Sequence, residues 1–499
     1  MEAPIQRSFA TVMAAGPLLQ QRAPAPLGLE LSTQPGVPVW RGIFIELRTR
    51  ILGGDLPAGA RLPSTRQLAT QLSIPRNHIA DAYEALAEEG LVIGRGRHGT
   101  YISERSGRMA KTRSVESIVP ALLGRISCPD RRESSVSMLD WRPGQAPAGL
   151  LPLSAWRRAC REAGRHLPPP DWGDPRGEPG LRRAIAAFLA EARSLDVHPD
   201  RIILTRGGAH ALDLVSQTFV HAGDRCAIED PGHPSVARTL ARAGAELQLV
   251  PVDDEGLRVD SLASSDPPAL VHLTPGHQYP IGGRLSAQRR HALVEKARRH
   301  GFLIVENEYD FEYDFEGSSY PPIVAGAAEC TLLIGTFAKG VSPSLRLGFL
   351  VAPQAAADAL AASVARDRMQ ASWPSQRIMQ ALLESGDLVR HLRRAKTHYA
   401  QFRQVIRSRL APFSTHVSLL GDSGGLHVVI RGASSQVDHE LQRQLRHREV
   451  VFDAVADYSS TTTHSDGVLL SYGHMNAEAL GGAVALLCDC IRAALSQPR

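Results

Sequence analysis

The chain has 499 residues, 43% hydrophobic and 21% charged, with a net charge of +5. That length exceeds one ordinary core and accommodates two unequal domains, while no apolar run is long enough to cross a bilayer. The charge is too weak to argue for nucleic acid by itself, and the sparse cysteines form no CxxC pair or Cys/His cluster, which favours a reducing cytoplasm and no structural zinc.

Residues 1–26 lack periodicity and carry Arg7 and Gly16 where a signal peptide would need a clean apolar stretch, so a disordered extension is expected. A first domain is expected over 27–104. Its opening helix, in PVWRGIFIELRTRIL, places Val39, Ile43, Leu47 and Ile51 on one face. Ser64 can cap a second helix whose Leu68 and Leu72 face inward. A third, from Pro75 to about Glu89, buries Ile79, Ala82, Tyr83 and Leu86 and presents Arg76, Asn77 and His78 on its opposite, N-terminal face. Hydrogen-bonding side chains at that end of a recognition helix meet base edges and phosphates. Glycines at 94, 96 and 99 around Arg95, Arg97 and His98 make a basic turn suited to a phosphate backbone or a minor groove. Any one of these residues alone reads better as a solvated group on a small helical module; the combination points to DNA.

Residues 105–137 are mostly polar around one apolar patch, SIVPALLG, and suit a tether with a short helix. From 138 onward, apolar runs (RIILT, RCAIE, ELQLVPV, ALVHLT, FLIVE, TLLIGT) alternate with helical stretches, the rhythm of an α/β domain on a largely parallel sheet. Beyond about residue 390, a long helix, three strand candidates and a last helix suggest a smaller α+β lobe.

Four stretches of this large domain carry chemistry together. TLLIGTFAKGVSPSLRLGF puts Lys339 just after a buried strand, with Arg346 seven residues on. A desolvated amine near other cations can form an imine with an aldehyde, and a fixed arginine can clamp a phosphate. LTRGGAHALDL runs strand, glycine turn, helix, so the amides of Gly207, Gly208 and Ala209 point toward an anion. FLIVENEYD ends a strand in Asn307 and Tyr309, and VHLTPGHQYPIGG ends another in a polar loop, both where a doubly wound sheet exposes ligand-contacting groups.

Two resemblances follow from these strings. GDLPAGARLPSTRQLA through EEGLVIGRGRHGTYI resembles the GntR type of winged helix. DWGDPRGEPGLRRAIAAFLAEAR, EDPGHPSV, TPGHQYPIGG, ENEYD, GTFAKG and LRLGF stand in the order found in fold-type I pyridoxal-phosphate (PLP) enzymes of the aminotransferase type. The whole, apart from the tether, resembles the MocR-type regulators, which fuse the two. The resemblance implies that Arg66 and Arg76 grip phosphates or bases of a double-stranded operator and that the wing runs from Arg97 through His98 and Gly99 to Thr100. It implies PLP held covalently by Lys339, with Thr336, Arg346 and the Gly207–Ala209 amides on its phosphate, Tyr309 at its phenolic oxygen and His233 stacked on its ring. It also implies a homodimer.

The sequence departs from the aminotransferase pattern in ways that bear on activity. Asn307 stands where most relatives carry an aspartate that keeps the pyridine nitrogen protonated; an amide can bond that nitrogen but cannot stabilise its charge, so PLP becomes a poorer electron sink. Glu306 or Glu308 could substitute only through a one-residue slip of the strand, which turns side chains to the other face. Leu469, in GVLLSYGHM, takes the place of the arginine that usually holds an amino-acid carboxylate, Ser235 replaces a second arginine of a relative, Ala338 a serine, and Trp172 a tyrosine. The reading is therefore a DNA-binding regulator responsive to PLP or a PLP adduct with an amine or amino acid, with little or no transaminase turnover. An active aminotransferase fused to a DNA-binding head and a regulator with an empty pocket are the alternatives.

Overall fold

The computed structural model describes residues 38–104, 139–145, 149–262, 265–316, 321–461 and 466–496. The chain divides into two compact units, Met1–Glu133 and Ser134–Arg499. The expected extension, residues 27–37 of the first domain, the tether with its SIVPALLG helix and residue 138 all lie outside the described residues.

The first unit holds three helices, α1 (Val39–Gly53), α2 (Thr65–Leu72) and α3 (Arg76–Glu88), followed by a hairpin of β1 (Val92–Gly94) and β2 (Thr100–Ile102). Ser64 and Gln67 form a reciprocal capping box at the start of α2, with bonds of 3.2 and 2.9 Å. The core joins Ile43, Leu47 and Ile51 of α1 to Leu68 of α2 and Ile79, Ala82, Tyr83 and Leu86 of α3. Tyr83 keeps its hydroxyl satisfied by donating to the Pro63 carbonyl at 2.9 Å. Two inward positions expected from periodicity differ. Val39 is 39% exposed because it opens α1, one turn beyond the buried stripe, and Leu72, at the end of α2, is only half-buried.

The second unit starts with α4 (Leu153–Ala163) and α5 (Pro179–Arg193), then alternates β3 (Ile202–Thr205), α6 (Gly208–Phe219), β4 (Arg225–Asp230), α7 (Pro234–Arg242), β5 (Glu246–Asp253), β6 (Gly256–Leu257) and β7 (Leu270–Leu273). It continues through α8 (Ala287–His300), β8 (Leu303–Glu308), β9 (Thr331–Thr336) and β10 (Gly348–Val351) to α9 (Gln354–Asp367) and α10 (Trp373–Glu384). The sheet order is β3-β10-β9-β8-β7-β4-β5-β6. Pairing is parallel from β9 through β8, β7 and β4 to β5, but β10 runs antiparallel to both β3 and β9. The sheet is therefore mixed. The expectation of a largely parallel sheet did not include β10, which begins two positions after Arg346 and returns along β9 after the connection 337–347, too short for a crossover helix.

A smaller lobe follows: α11 (Asp387–Leu410), then β11 (Val417–Leu420), β12 (His427–Gly432), α12 (Ser435–His447), β13 (Val468–Ser471) and α13 (Ala477–Leu495). Its three strands form an antiparallel sheet in the order β11-β12-β13. Trp141, Tyr399 and Tyr472, each at most 1% exposed, fill the core between that sheet and the helices.

Candidate functional site

In the second unit a cavity of about 580 Å³ opens at the ends of β4, β7, β8 and β9. Lys339, Asn307, Tyr309, Arg346, Thr336, Gly207, Gly208, Ala209 and His233 all line it. The local backbone explains the convergence. Gly207 holds φ at 89° and starts α6, and no side chain among the described residues caps it, so the first amides of that helix are available to an anion. Gly348 lies so close to this turn that a Cβ there would stand 3.0 Å from Gly207 Cα and 2.8 Å from the Gly335 carbonyl. The antiparallel β10 thus packs closely against both the glycine turn and the end of β9. Arg346, between that loop and β10, takes a left-handed φ of 50°. Thr336 Oγ1 accepts from the Ala338 amide at 3.1 Å, fixing the entry to the Lys339 loop.

Burial pulls the Lys339 ammonium pKa below its ordinary value, partly opposed by Asp310. A neutral amine is thereby made more available as a nucleophile. Tyr309 is held protonated: burial, then Asp310, pushes its phenol far up. Its hydroxyl stands 2.9 Å from His277 Nδ1, which also meets Asp310 Oδ2 at 2.9 Å. His233 caps α7 through Nδ1, accepting from the Ser235 amide at 3.2 Å, and its ring lies 5.1 Å from that of Tyr279. Burial, Arg238 and Lys339 together lower the His233 pKa.

Asn307 is the residue of its strand end that faces the cavity. Glu306, fully buried on the opposite face of β8, accepts from the Ile323 and Val324 amides at 2.8 and 3.2 Å, and Glu308 pairs with Arg193 at 3.0 Å. Neither carboxylate takes the Asn307 position, as strand alternation requires. Leu469 is completely buried, packed with Val429 and Val455. Trp172 is 62% exposed beneath the Arg368 guanidinium and away from the cavity.

Several lining residues were not singled out from the sequence: Glu229, Asp230, Arg238, His272, Tyr279 and the segment Asp457–Ser460. His272 had a signal, a histidine inside the apolar run ALVHLT. The loop residues had none, because they reach the cavity from about 230 positions away: Asp230 accepts from the Ser460 amide at 2.8 Å and from the Thr461 hydroxyl at 2.6 Å.

In the first unit, Arg66, Arg76 and Asn77 are exposed, and Arg76 Nε donates to Thr65 Oγ1 at 3.1 Å. His78 does not share that outward face. It is half-buried because it stands one turn before buried Ala82 on the same stripe of α3, and its Nδ1 has no hydrogen-bond partner among the described residues. Arg97 and His98 are exposed at the tip of the β1–β2 hairpin. Gly99 has φ 97°, and a Cβ there would come within 3.0 Å of the Arg61 guanidinium, so Arg61 joins the basic surface beside the wing unannounced by the motif.

Two families match in register with this architecture: bacterial regulatory proteins of the gntR family over residues 41–102, and aminotransferase class I and II over 137–465. The HTH-type pyridoxine biosynthesis transcriptional regulator PdxR of Corynebacterium glutamicum is 31% identical, with 89% of this chain and 94% of that protein covered. The chain belongs to the MocR-type transcriptional regulators. The probable rhizopine catabolism regulatory protein MocR of Rhizobium meliloti is 29% identical, over 91% of this chain and 93% of its own. Among solved structures, LysN, an α-aminoadipate aminotransferase from Thermus thermophilus, shares the fold with a TM-score of 0.66 at 23% identity, covering 75% of this chain and 97% of that one.

This MocR-type regulator therefore combines a gntR-type DNA-binding head with a fold-type I, PLP-binding domain. The donor set fits that cofactor: open helix amides and a guanidinium suit a phosphate, a lysine amine suits an aldehyde, and a phenol and an amide flank the space for a flat ring. Bound PLP would supply an electrophilic carbonyl and an electron-withdrawing ring. No helix among the described residues is long and apolar enough to cross a membrane.

Proposed function

We propose that this regulator senses PLP, or an adduct of PLP with a small amine or amino acid, and changes its hold on an operator accordingly. The observation that carries this reading is the convergence of Lys339, Arg346 and the α6 amides on one cavity. Lys339 holds the cofactor; Arg346, Thr336 and the Gly207–Ala209 amides bind its phosphate; Tyr309 meets its phenolic oxygen, His233 covers its ring and Asn307 meets its ring nitrogen. In the head, Arg66, Arg76, Asn77, Arg97, His98 and Gly99 contact the duplex, with Arg61 beside them. A ligand that prefers one of two arrangements of the large domain is sufficient for a switch. The protein acts in the cytoplasm as a homodimer.

Asn307 and Leu469 favour sensing over turnover. The first withholds the negative charge that stabilises a protonated ring, and the second replaces a carboxylate clamp with an apolar core residue. The missing clamp favours PLP itself, or an amine other than an ordinary α-amino acid, as the effector.

Adding PLP to the purified protein should produce a visible absorption band that Lys339→Ala abolishes, and should change operator affinity in the wild type. Mixing the loaded protein with amino acids should release no keto acid. A colourless protein after PLP addition would leave the cavity without its assigned ligand, and steady keto-acid release would make the chain an enzyme.

A further inference from the structure

His272 lies on β7, directly beside β8, as the one polar residue of that strand. It is 3% exposed, lines the same cavity as Asn307, and places Nε2 3.5 Å from the Asn307 amide nitrogen. Burial pushes its pKa down to about 4, with His233 adding to the effect, so the ring is neutral and carries one N–H and one lone pair. An amide keeps its outline when oxygen and nitrogen exchange places, so this contact has two self-consistent forms. In one, the imidazole donates to Asn307 Oδ1 and the amide N–H is left for the cavity. In the other, the imidazole accepts from Nδ2 and the amide oxygen is left.

These forms make opposite demands on a pyridine nitrogen. An N–H donor meets a bare ring nitrogen, whereas a carbonyl oxygen can bond only a protonated, cationic one. The surroundings select against the cation. Among the described residues, the carboxylates lining the cavity are committed elsewhere: Glu229 to the Thr274 amide and hydroxyl at 3.1 and 2.6 Å, Asp230 to the Ser460 amide and the Thr461 hydroxyl, and Asp457 to the Ala454 amide at 2.9 Å. Glu306 and Glu308 are turned to the other face of β8. Lys339, Arg346 and Arg238 line the cavity as basic groups, Tyr309 is held protonated, and the His233 pKa is lowered.

We propose that His272 is a positioning residue: by donating to Asn307 Oδ1 it commits the Asn307 amide N–H to the cofactor's ring nitrogen and holds that nitrogen unprotonated. The inference rests on the reading that PLP occupies this cavity. It goes further by assigning the state of the ring to a pair on adjacent strands, not to the loss of a carboxylate alone.

The test is nitrogen NMR of the full-length protein loaded with PLP isotopically labelled at the ring nitrogen, recorded from mildly acidic to mildly alkaline pH. The wild type should show the unprotonated signal throughout, and Asn307→Asp the protonated one. His272→Phe frees the amide to turn and should give a signal that titrates within the range; His272→Gln, which retains a donor, should restore the wild-type response. A protonated ring in the wild type, a His272→Phe signal identical to the wild type at every pH, or a titrating signal in His272→Gln would overturn the proposal. Failure of the wild type to take up PLP, read from its visible absorption, would instead count against the cofactor reading.

Discussion

Replacing Arg346 by glycine separates the cost of its backbone from the value of its guanidinium. At φ 50° and ψ 50° an L residue carries about 1–2 kcal/mol of conformational strain, which glycine relieves. Glycine also adds roughly 0.5–1 kcal/mol of unfolded-chain entropy, so the two effects nearly cancel and stability without ligand should stay within about 1 kcal/mol of the wild type. The bound state loses much more. A hydrogen bond to a charged group contributes about 1.5–3 kcal/mol, and an arginine on a phosphate is commonly bidentate, but the α6 amides retain part of the grip. A net loss of about 3 kcal/mol corresponds to roughly a hundredfold weaker PLP binding. Absorbance titration with PLP and thermal unfolding of the ligand-free protein read the two quantities separately. Affinity within about threefold of the wild type would show that the phosphate does not lie at Arg346. A large fall in ligand-free stability would show that the side chain is structural.

Three further expectations concern other parts of the molecule. Arg66→Ala and Arg97→Ala should each weaken DNA binding whatever the sequence and reduce the slope of log affinity against log salt by about one, measured by fluorescence anisotropy; an unchanged slope would remove that residue from the phosphate-contact set. Tyr83→Phe deletes the buried bond to the Pro63 carbonyl and should cost the head about 1 kcal/mol, followed by denaturant unfolding of the full chain with a helical signal from that unit; no loss would mean that water satisfies the carbonyl equally well. Burial raises the Glu229 pKa from 4.5 to about 7, so the fold favours its neutral form and the unfolded chain releases the proton first. The stability this contributes is complete below pH 4.5 and is lost as pH rises through about 7. Glu229→Gln should therefore gain on the wild type across that window and stay level above it, and a difference independent of pH would refute the assignment.

The sequence was most legible where structure is local. Apolar runs marked β3, β4, β5, β7, β8 and β9, and the Ser64 cap and α3 stripe emerged from spacing alone. The motifs also located the cavity, since Lys339, Arg346 and Gly207 come from loops that follow buried strands at one edge of the sheet. Less legible were features set by pairing across distance. The strand candidates did not include β10, because four residues carry too little periodicity to declare a strand, and its direction depends on neighbours. His78, expected on the face opposite the buried stripe, is half-buried because it lies four residues before Ala82, at the margin of that stripe. The Asp230 contacts with Ser460 and Thr461 join strings that share no pattern at all.

That junction has a consequence for signalling. Segment Tyr458–Thr461 belongs to the small lobe, yet one side chain at the end of β4 holds its amide and hydroxyls, while the Gly232 amide donates to the Tyr458 carbonyl at 2.9 Å. Part of the chamber's wall thus belongs to a neighbouring lobe, moored through Asp230, the turn after it and the Tyr279 ring, which meets that of Tyr458. Whatever enlarges the chamber's contents strains that mooring, and by reciprocity anything that shifts the lobe retunes the chamber's appetite for its guest.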